Sequence, residues 1–158
     1  MNIEYSVTDK EGIDIVAPLW EKLNEHHGSI SRHFSFDYSG RKLVNRKKEF
    51  LGEATDLRVD VARDTDTGEL VGYCVSSITS DRLGEIDSIF VESDYSRLGI
   101  GDHLILNALN WMKELSVTRI LVQVMVGNEE VQPFYHRHGF LPRTMIMMKI
   151  DENDTTGS

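Results

Sequence analysis

The stretch Gly84-Glu85-Ile86-Asp87-Ser88-Ile89-Phe90-Val91-Glu92-Ser93-Asp94-Tyr95-Ser96-Arg97-Leu98-Gly99-Ile100-Gly101 decides the reading of this chain. Glu85 to Val91 has strand character, and Ser93-Asp94 breaks it. From Gly99 a helical period takes over, with Leu104, Ala108, Trp111 and Leu115 recurring at steps of 4, 3 and 4. The order is strand, tight loop, helix start. Glycines at that point let backbone N–H groups converge on the positive end of a helix dipole with no Cβ in the way, an arrangement suited to a pyrophosphate. Two other glycine-rich phosphate loops fail on spelling. The dinucleotide fingerprint needs a third small residue where Leu104 stands, and the phosphate loop of nucleotide hydrolases needs Gly-Lys-Ser/Thr where the chain has Gly101-Asp102-His103.

Working outward, Ile3, Tyr5 and Val7 alternate with polar residues and predict a first strand. Ile13, Val16, Leu19, Trp20 and Leu23 predict a helix ending before Gly28, kinked at Pro18. His26 to Gly40 has no period and reads as a long loop or broken helix of the kind that often carries function. Arg41 to Phe50 resumes helical spacing and holds Arg41, Lys42, Arg46, Lys47 and Lys48, a basic run that suits either a solvated face or an anionic part of a ligand. Leu57 to Val61 and Leu70 to Ile78 flank the turn Asp64-Thr65-Asp66-Thr67-Gly68 as a hairpin, extended by the Glu85 strand into an antiparallel meander. After the Gly99 helix, Ile120 to Val126 predicts a strand buried on both faces at the sheet centre. Glu129 to Arg137 predicts a short helix capped by Asn128, and Phe140 to Ile150 a final strand or hairpin arm.

The order β-α-α-β-β-β-α-β-α-β predicts an α/β (α+β) domain over 1–150, a mixed and mostly antiparallel sheet with helices on both faces, followed by a disordered polar tail over 151–158. A chain of 158 residues is of single-domain size and buries about 70% of its unfolded surface. The sole cysteine, Cys74, lies in an apolar run, so no intrachain disulfide forms and a reducing, cytoplasmic setting is expected. The first residues lack a basic region followed by an apolar core, and no 18-residue apolar run occurs, so neither a leader nor a membrane span is expected. Net charge is −9, from 26 acidic and 17 basic residues. That argues against nucleic acid and favours cationic partners.

The second informative stretch is Asn128-Glu-Glu-Val-Gln-Pro-Phe-Tyr-His-Arg-His-Gly-Phe140. Together with Tyr95 to Gly101 it resembles the GNAT superfamily of acyl-CoA-dependent N-acetyltransferases, over the span from the Glu85 strand to Phe140. In that family a loop of the form Arg/Gln-x-x-Gly-x-Gly/Ala holds the pyrophosphate of coenzyme A on its amides. Ser96-Arg97-Leu98-Gly99-Ile100-Gly101 fits it, with Ser96 in place of Arg or Gln and Arg97 one position off. Asn128, Phe134-Tyr135 and Gly139-Phe140 match the second signature.

The resemblance implies acetyl-CoA as co-substrate and a primary amine as acceptor, a small molecule by preference, with direct attack in a ternary complex. A peptide acceptor and a non-catalytic acyl-CoA-binding module are the alternatives, and a homodimer is compatible with either. It implies cofactor contacts from Phe90, Val91, Ser96, Arg97, Leu98, Gly99, Ile100, Gly101, Asn128, Phe134 and Tyr135, and Tyr135 as the acid. A phenol of pKa ~10 can protonate a departing thiolate whose thiol has pKa ~8.5 while staying neutral at pH 7. For the base, the family position on the fourth strand corresponds to Glu85, with Asp87 as the alternative. Strand alternation sends Glu85, Asp87, Ile89 and Val91 one way unless a bulge intervenes, and the resemblance makes neither carboxylate obligatory. His26-His27 are adjacent and His136 and His138 stand two apart on a helix, so no metal is expected.

Overall fold

In the computed structural model, residues 1–153 are described, and they pack as two compact units, Met1–Leu23 with Lys42–Gln123 and Asn24–Arg41 with 124–153. The tail expected over 151–158 lies outside the described residues from 154 onward.

The first unit is built on a five-stranded sheet of β1 (Ile3–Thr8), β2 (Ala54–Asp64), β3 (Leu70–Thr79), β4 (Leu83–Val91) and β5 (Arg119–Val122), arranged in that order. All neighbours are antiparallel except β4 and β5. The predicted hairpin and meander are therefore present. A parallel step needs a crossover, and α3 (Ile100–Glu114) provides it. Its apolar stripe of Ile100, Leu104, Ile105, Ala108 and Met112 is buried on one sheet face. Close approach there explains Gly72 and Gly84. A Cβ at Gly72 would lie 3.3 Å from Leu104, and one at Gly84 2.8 Å from the Met112 sulfur.

The opposite face carries the core of Ile13, Val16, Leu19, Trp20, Leu43, Phe50, Val59, Val61, Tyr73 and Val75. These come from a 3-10 turn at Ile13–Val16, the start of α1 (Ala17–Ile30), α2 (Leu43–Leu51) and the inner strands. Pro18 does not kink the helix. It occupies the first turn of α1, where a missing N–H has no intrahelical partner to lose.

In the second unit, α1 runs past Gly28, which the sequence had suggested as its terminator, to Ile30. Gly28 is inside the helix because Tyr38 packs on it: a Cβ there would lie 3.1 Å from Tyr38 Cβ. Buried Asn24 donates from Nδ2 to the Tyr38 carbonyl at 2.7 Å, so part of the predicted loop is folded onto the helix. A 3-10 turn at Glu129–Val131 leads into α4 (Gln132–Arg137).

Two strand expectations are corrected. β5 ends at Val122 and is an edge strand, not a central one running to Val126. Its ladder with β4 stops at Ile86–Val122, and the next β4 residue, Asp87, is bulged out of register. Residues 140–150 form no strand, so the last β of the predicted order is absent. Leu141, Met145, Ile146, Met147 and Met148 are exposed, Met147 to 88%. A short apolar run such as Met145 to Met148 does not make a strand without a neighbour to take up its N–H and C=O groups. The mixed, mostly antiparallel sheet with helices on both faces is as predicted.

Candidate functional site

β4 leads into the glycine loop, residues 96–101. A 3-10 turn at Ser93–Tyr95 follows the strand, and Gly99 adopts the left-handed conformation, φ 74°, as the N-cap of α3. That backbone favours glycine, and a Cβ on Gly99 would meet nothing within 4 Å, so the loop opens onto free space there. The Leu98 amide is engaged, donating to the Tyr95 carbonyl at 3.3 Å, and the Ser96 amide donates to Ser93 at 3.2 Å. Of the amides expected to hold a pyrophosphate, those of Ile100 and Gly101 lie in the first helical turn, where no intrahelical acceptor exists. The site thus fits an anion at the start of a 15-residue helix. Ser96, Arg97 and Leu98 are all exposed. Phe90 and Val91 are half-buried at the end of β4.

The same strand carries the acidic pair, and here a bulge rearranges the predicted face. Val75 pairs with Ser88 and Ser76 with Ile86, leaving Asp87 as the extra residue. Glu85 lies opposite Ser77, on the face of Tyr73 and Val75, and Asp87 is hydrogen-bonded by the Ser77 side chain. Beyond the bulge Ser88 and Phe90 occupy that face, opposite Val75 and Tyr73. Ile89 and Val91 turn to the α3 face, opposite Cys74 and Gly72. The grouping of Ile89 and Val91 with the two carboxylates is therefore corrected. Tyr73 and Ser88 seal the arrangement through a 2.8 Å hydroxyl–hydroxyl hydrogen bond.

The two carboxylates are chemically unlike. Glu85 Oε1 accepts from Gln123 Nε2 at 3.1 Å, across from β5. Asp87 Oδ2 is buried with no hydrogen-bond partner. Burial pushes the Asp87 carboxyl up to about 7, with the neighbouring Glu85 adding to the rise and the Ser77 hydrogen bond and Arg46 opposing it. A carboxyl whose proton affinity is raised towards neutrality, on the strand that leads into the glycine loop, is equipped to exchange protons. Nothing in the sequence near Asp87 signals this, because the bulge depends on the register of β3.

Cys74 is fully buried and its thiol is pushed well up by burial, with Asp60 and Asp87 adding to the rise. Its thiolate is therefore disfavoured, which removes it as a nucleophile. Asp60, 1% exposed, is held bidentately by Arg58, Nε to Oδ2 and Nη2 to Oδ1, both at 2.8 Å.

In the second unit, Tyr135 is buried and meets Phe134 and Phe140 edge-on at ring distances of 5.3 and 6.0 Å. Asn128 does not cap the helix through its side chain. It is 8% exposed, and its Oδ1 is buried without a partner. An unsatisfied buried amide oxygen calls for a donor, which the amide groups of a pantetheine chain could supply. His26 approaches Glu130 at 4.0 Å and Arg32 approaches Glu129 at 3.3 Å. Among the described residues no group of three or more His, Cys, Asp or Glu is arranged to hold a metal, and no described helix is long and apolar enough to cross a membrane.

An antiparallel meander joined through a helical crossover to a parallel fifth strand, with a glycine loop opening the crossover helix, is the architecture in which these residues are set. Residues 20–140 match the acetyltransferase (GNAT) family, and the chain belongs to it. It is 31% identical over 75 residues to a Bacillus subtilis (strain 168) protein assigned by inference as a ribosomal protein bS18-alanine N-acetyltransferase. That alignment covers 48% of this chain and only 49%, about half, of the relative. A Pyrococcus furiosus protein assigned by inference as an acetyl transferase is 27% identical, with a TM-score of 0.67 over 94% of this chain and 100% of that one. AAC(6')-Iy, solved with the bisubstrate analog CoA-S-monomethyl-acetylneamine, is similar in fold at 15% identity, with a TM-score of 0.62 over 96% of this chain and 99% of that one.

Proposed function

We propose that the chain transfers an acetyl group from acetyl-CoA to a primary amine, a small cationic molecule by preference, by direct attack in a ternary complex. The observation that carries this reading is Asp87, whose Oδ2 is enclosed without a hydrogen-bond partner and whose carboxyl burial pushes up to about 7, on the strand that leads into the glycine loop. The amides of Ile100 and Gly101 hold the pyrophosphate, and the open approach at Gly99 admits it.

The acceptor arrives as an ammonium ion and must lose a proton before it can attack. Asp87 accepts that proton, directly or through water, which reverses the sequence preference for Glu85. Glu85 is held by Gln123 and supports Asp87 by raising its proton affinity. The amine nitrogen forms its bond to the thioester carbonyl carbon, the tetrahedral oxyanion collapses, and the C–S bond breaks. The departing thiolate takes its proton from the phenol of Tyr135, a role carried over from the family resemblance, and the second proton of the adduct's nitrogen passes through water to the phenolate, which leaves a neutral amide and restores Tyr135. The buried Cys74 thiol supports the absence of an acyl-enzyme through that residue.

A peptide amino terminus is the second reading, favoured by the Bacillus subtilis relative assigned to ribosomal protein bS18 alanine. Calorimetry with acetyl-CoA, followed by a CoA-release screen over small amines, amino acids and alanine-initiated peptides, tests both. Release with small amines supports the first reading, and release confined to peptides replaces it with the second. Binding without release from any acceptor makes the protein an acyl-CoA-binding module.

A further inference from the structure

The loop of the proposed pyrophosphate site lacks the Arg or Gln side chain that its family pattern has at position 96. What holds it instead is a hydrogen bond from a distant part of the chain. Tyr95 donates from its hydroxyl to Asp64 Oδ2 at 2.7 Å. Asp64 is the last residue of β2, 3% exposed, and it is itself immobilised by the hairpin turn. Its Oδ1 accepts from the Asp66 amide at 2.9 Å, its carbonyl accepts from the Gly68 amide at 2.7 Å, and its own amide donates to Glu69 at 3.0 Å. The carboxylate is thus a fixed post with one oxygen turned to the hairpin and the other to the phenol. The pair is charge-assisted: the Tyr95 hydrogen bond holds the Asp64 carboxyl below its usual range, and Asp64 raises the Tyr95 phenol.

Tyr95 transmits this anchorage to the amides. Its carbonyl takes the Leu98 amide, its amide donates to Glu92 at 2.9 Å, and the Glu92 amide donates to Val71 on β3 at 2.8 Å. The turn before the glycines is therefore secured on β3 at one end and by Tyr95 on β2 in its middle. The His103 amide, donating to the Gly99 carbonyl at 3.0 Å, secures it on α3 at the other end. Lys22 adds an ion pair to Glu92.

We propose that Tyr95, anchored by Asp64, is a positioning residue for coenzyme A: it pre-sets the pyrophosphate-binding amides and so maintains affinity where Ser96 offers no long polar side chain. Preorganised donors bind more tightly than donors that must be ordered on binding. The inference rests on the acetyl-CoA reading above.

The test is Tyr95→Phe, which keeps the ring and removes the hydroxyl. Loss of a charge-assisted hydrogen bond that orders a binding loop is expected to raise the Kd for CoA and the KM for acetyl-CoA about tenfold. The value of kcat at saturation should stay within twofold. S-acetylpantetheine, which has no pyrophosphate, separates positioning from general damage, because its kcat/KM should be the same in Tyr95→Phe and wild type. The double variant Asp64→Ala/Tyr95→Phe should bind CoA no more weakly than Asp64→Ala. An unchanged Kd for CoA in Tyr95→Phe, or an equal loss of activity with S-acetylpantetheine, overturns the proposal while leaving the acetyltransferase reading intact. Failure of the wild-type protein to bind acetyl-CoA overturns that reading instead.

Discussion

Gln123 reaches from β5 to β4 and donates from Nε2 to Glu85 Oε1 across 3.1 Å. This occupies one of the two carboxylates on the inner face of β4. Asp87, two residues on, is left with a buried oxygen that has no partner.

The pH dependence of the rate should follow from that difference. Asp87 must be ionised to take a proton from the acceptor, so kcat/KM should rise with pH through a limb near its value of about 7. Asp87→Asn should lower kcat by ~10²-fold or more and abolish that limb, whereas Glu85→Gln should keep the limb and move it to lower pH, since a like charge is removed. Steady-state pH profiles of both variants check this. A limb retained in Asp87→Asn rejects Asp87 as the base.

The same carboxyl makes a prediction for stability. Its folded value lies above the ordinary 3.8, so its contribution is most favourable when protonated, below about pH 4, and is lost as pH rises through about 7. Asp87→Asn should therefore melt higher than wild type at pH 8, by about 3 °C or more, since each ~1 kcal/mol of relief moves Tm of a chain this size by roughly 2–4 °C. The gain should shrink towards zero at pH 4. Thermal melts at the two pH values measure it.

Gly101→Val puts a branched side chain in the first turn of α3, between the pyrophosphate and the amides expected to bind it. Calorimetry should show acetyl-CoA binding weakened ~10²-fold or more with cooperative unfolding retained. Normal binding would move the cofactor away from this loop.

Tyr135→Phe keeps the edge-on contacts with Phe134 and Phe140 and removes one hydroxyl. The dissociation constant for acetyl-CoA should hold while kcat falls ~10²-fold, the usual scale of a lost general acid, and the high-pH limb should shift. A kcat within about threefold of wild type with that limb unmoved leaves Tyr135 as a packing residue.

Most of the scaffold was legible in the chain itself. The alternation in β1 and in Leu57 to Val61, the helical period after Gly99 and the glycine step that opens it are local preferences, set by the conformation each residue allows and the spacing of its apolar neighbours. The two family signatures in register likewise needed no coordinates. Four features were decided only when distant segments met. The bulge at Asp87 is a mismatch of register between β3 and β4, and it turned Ile89 and Val91 away from the carboxylates. The end of β5 at Val122 coincides with that bulge, where an apolar run alone suggested a longer, central strand. The hydrogen bond between Tyr95 and Asp64 joins positions 31 residues apart. The raised proton affinity of Asp87 comes from what packs over it, and desolvation is a property of the folded environment that no residue carries in its own type.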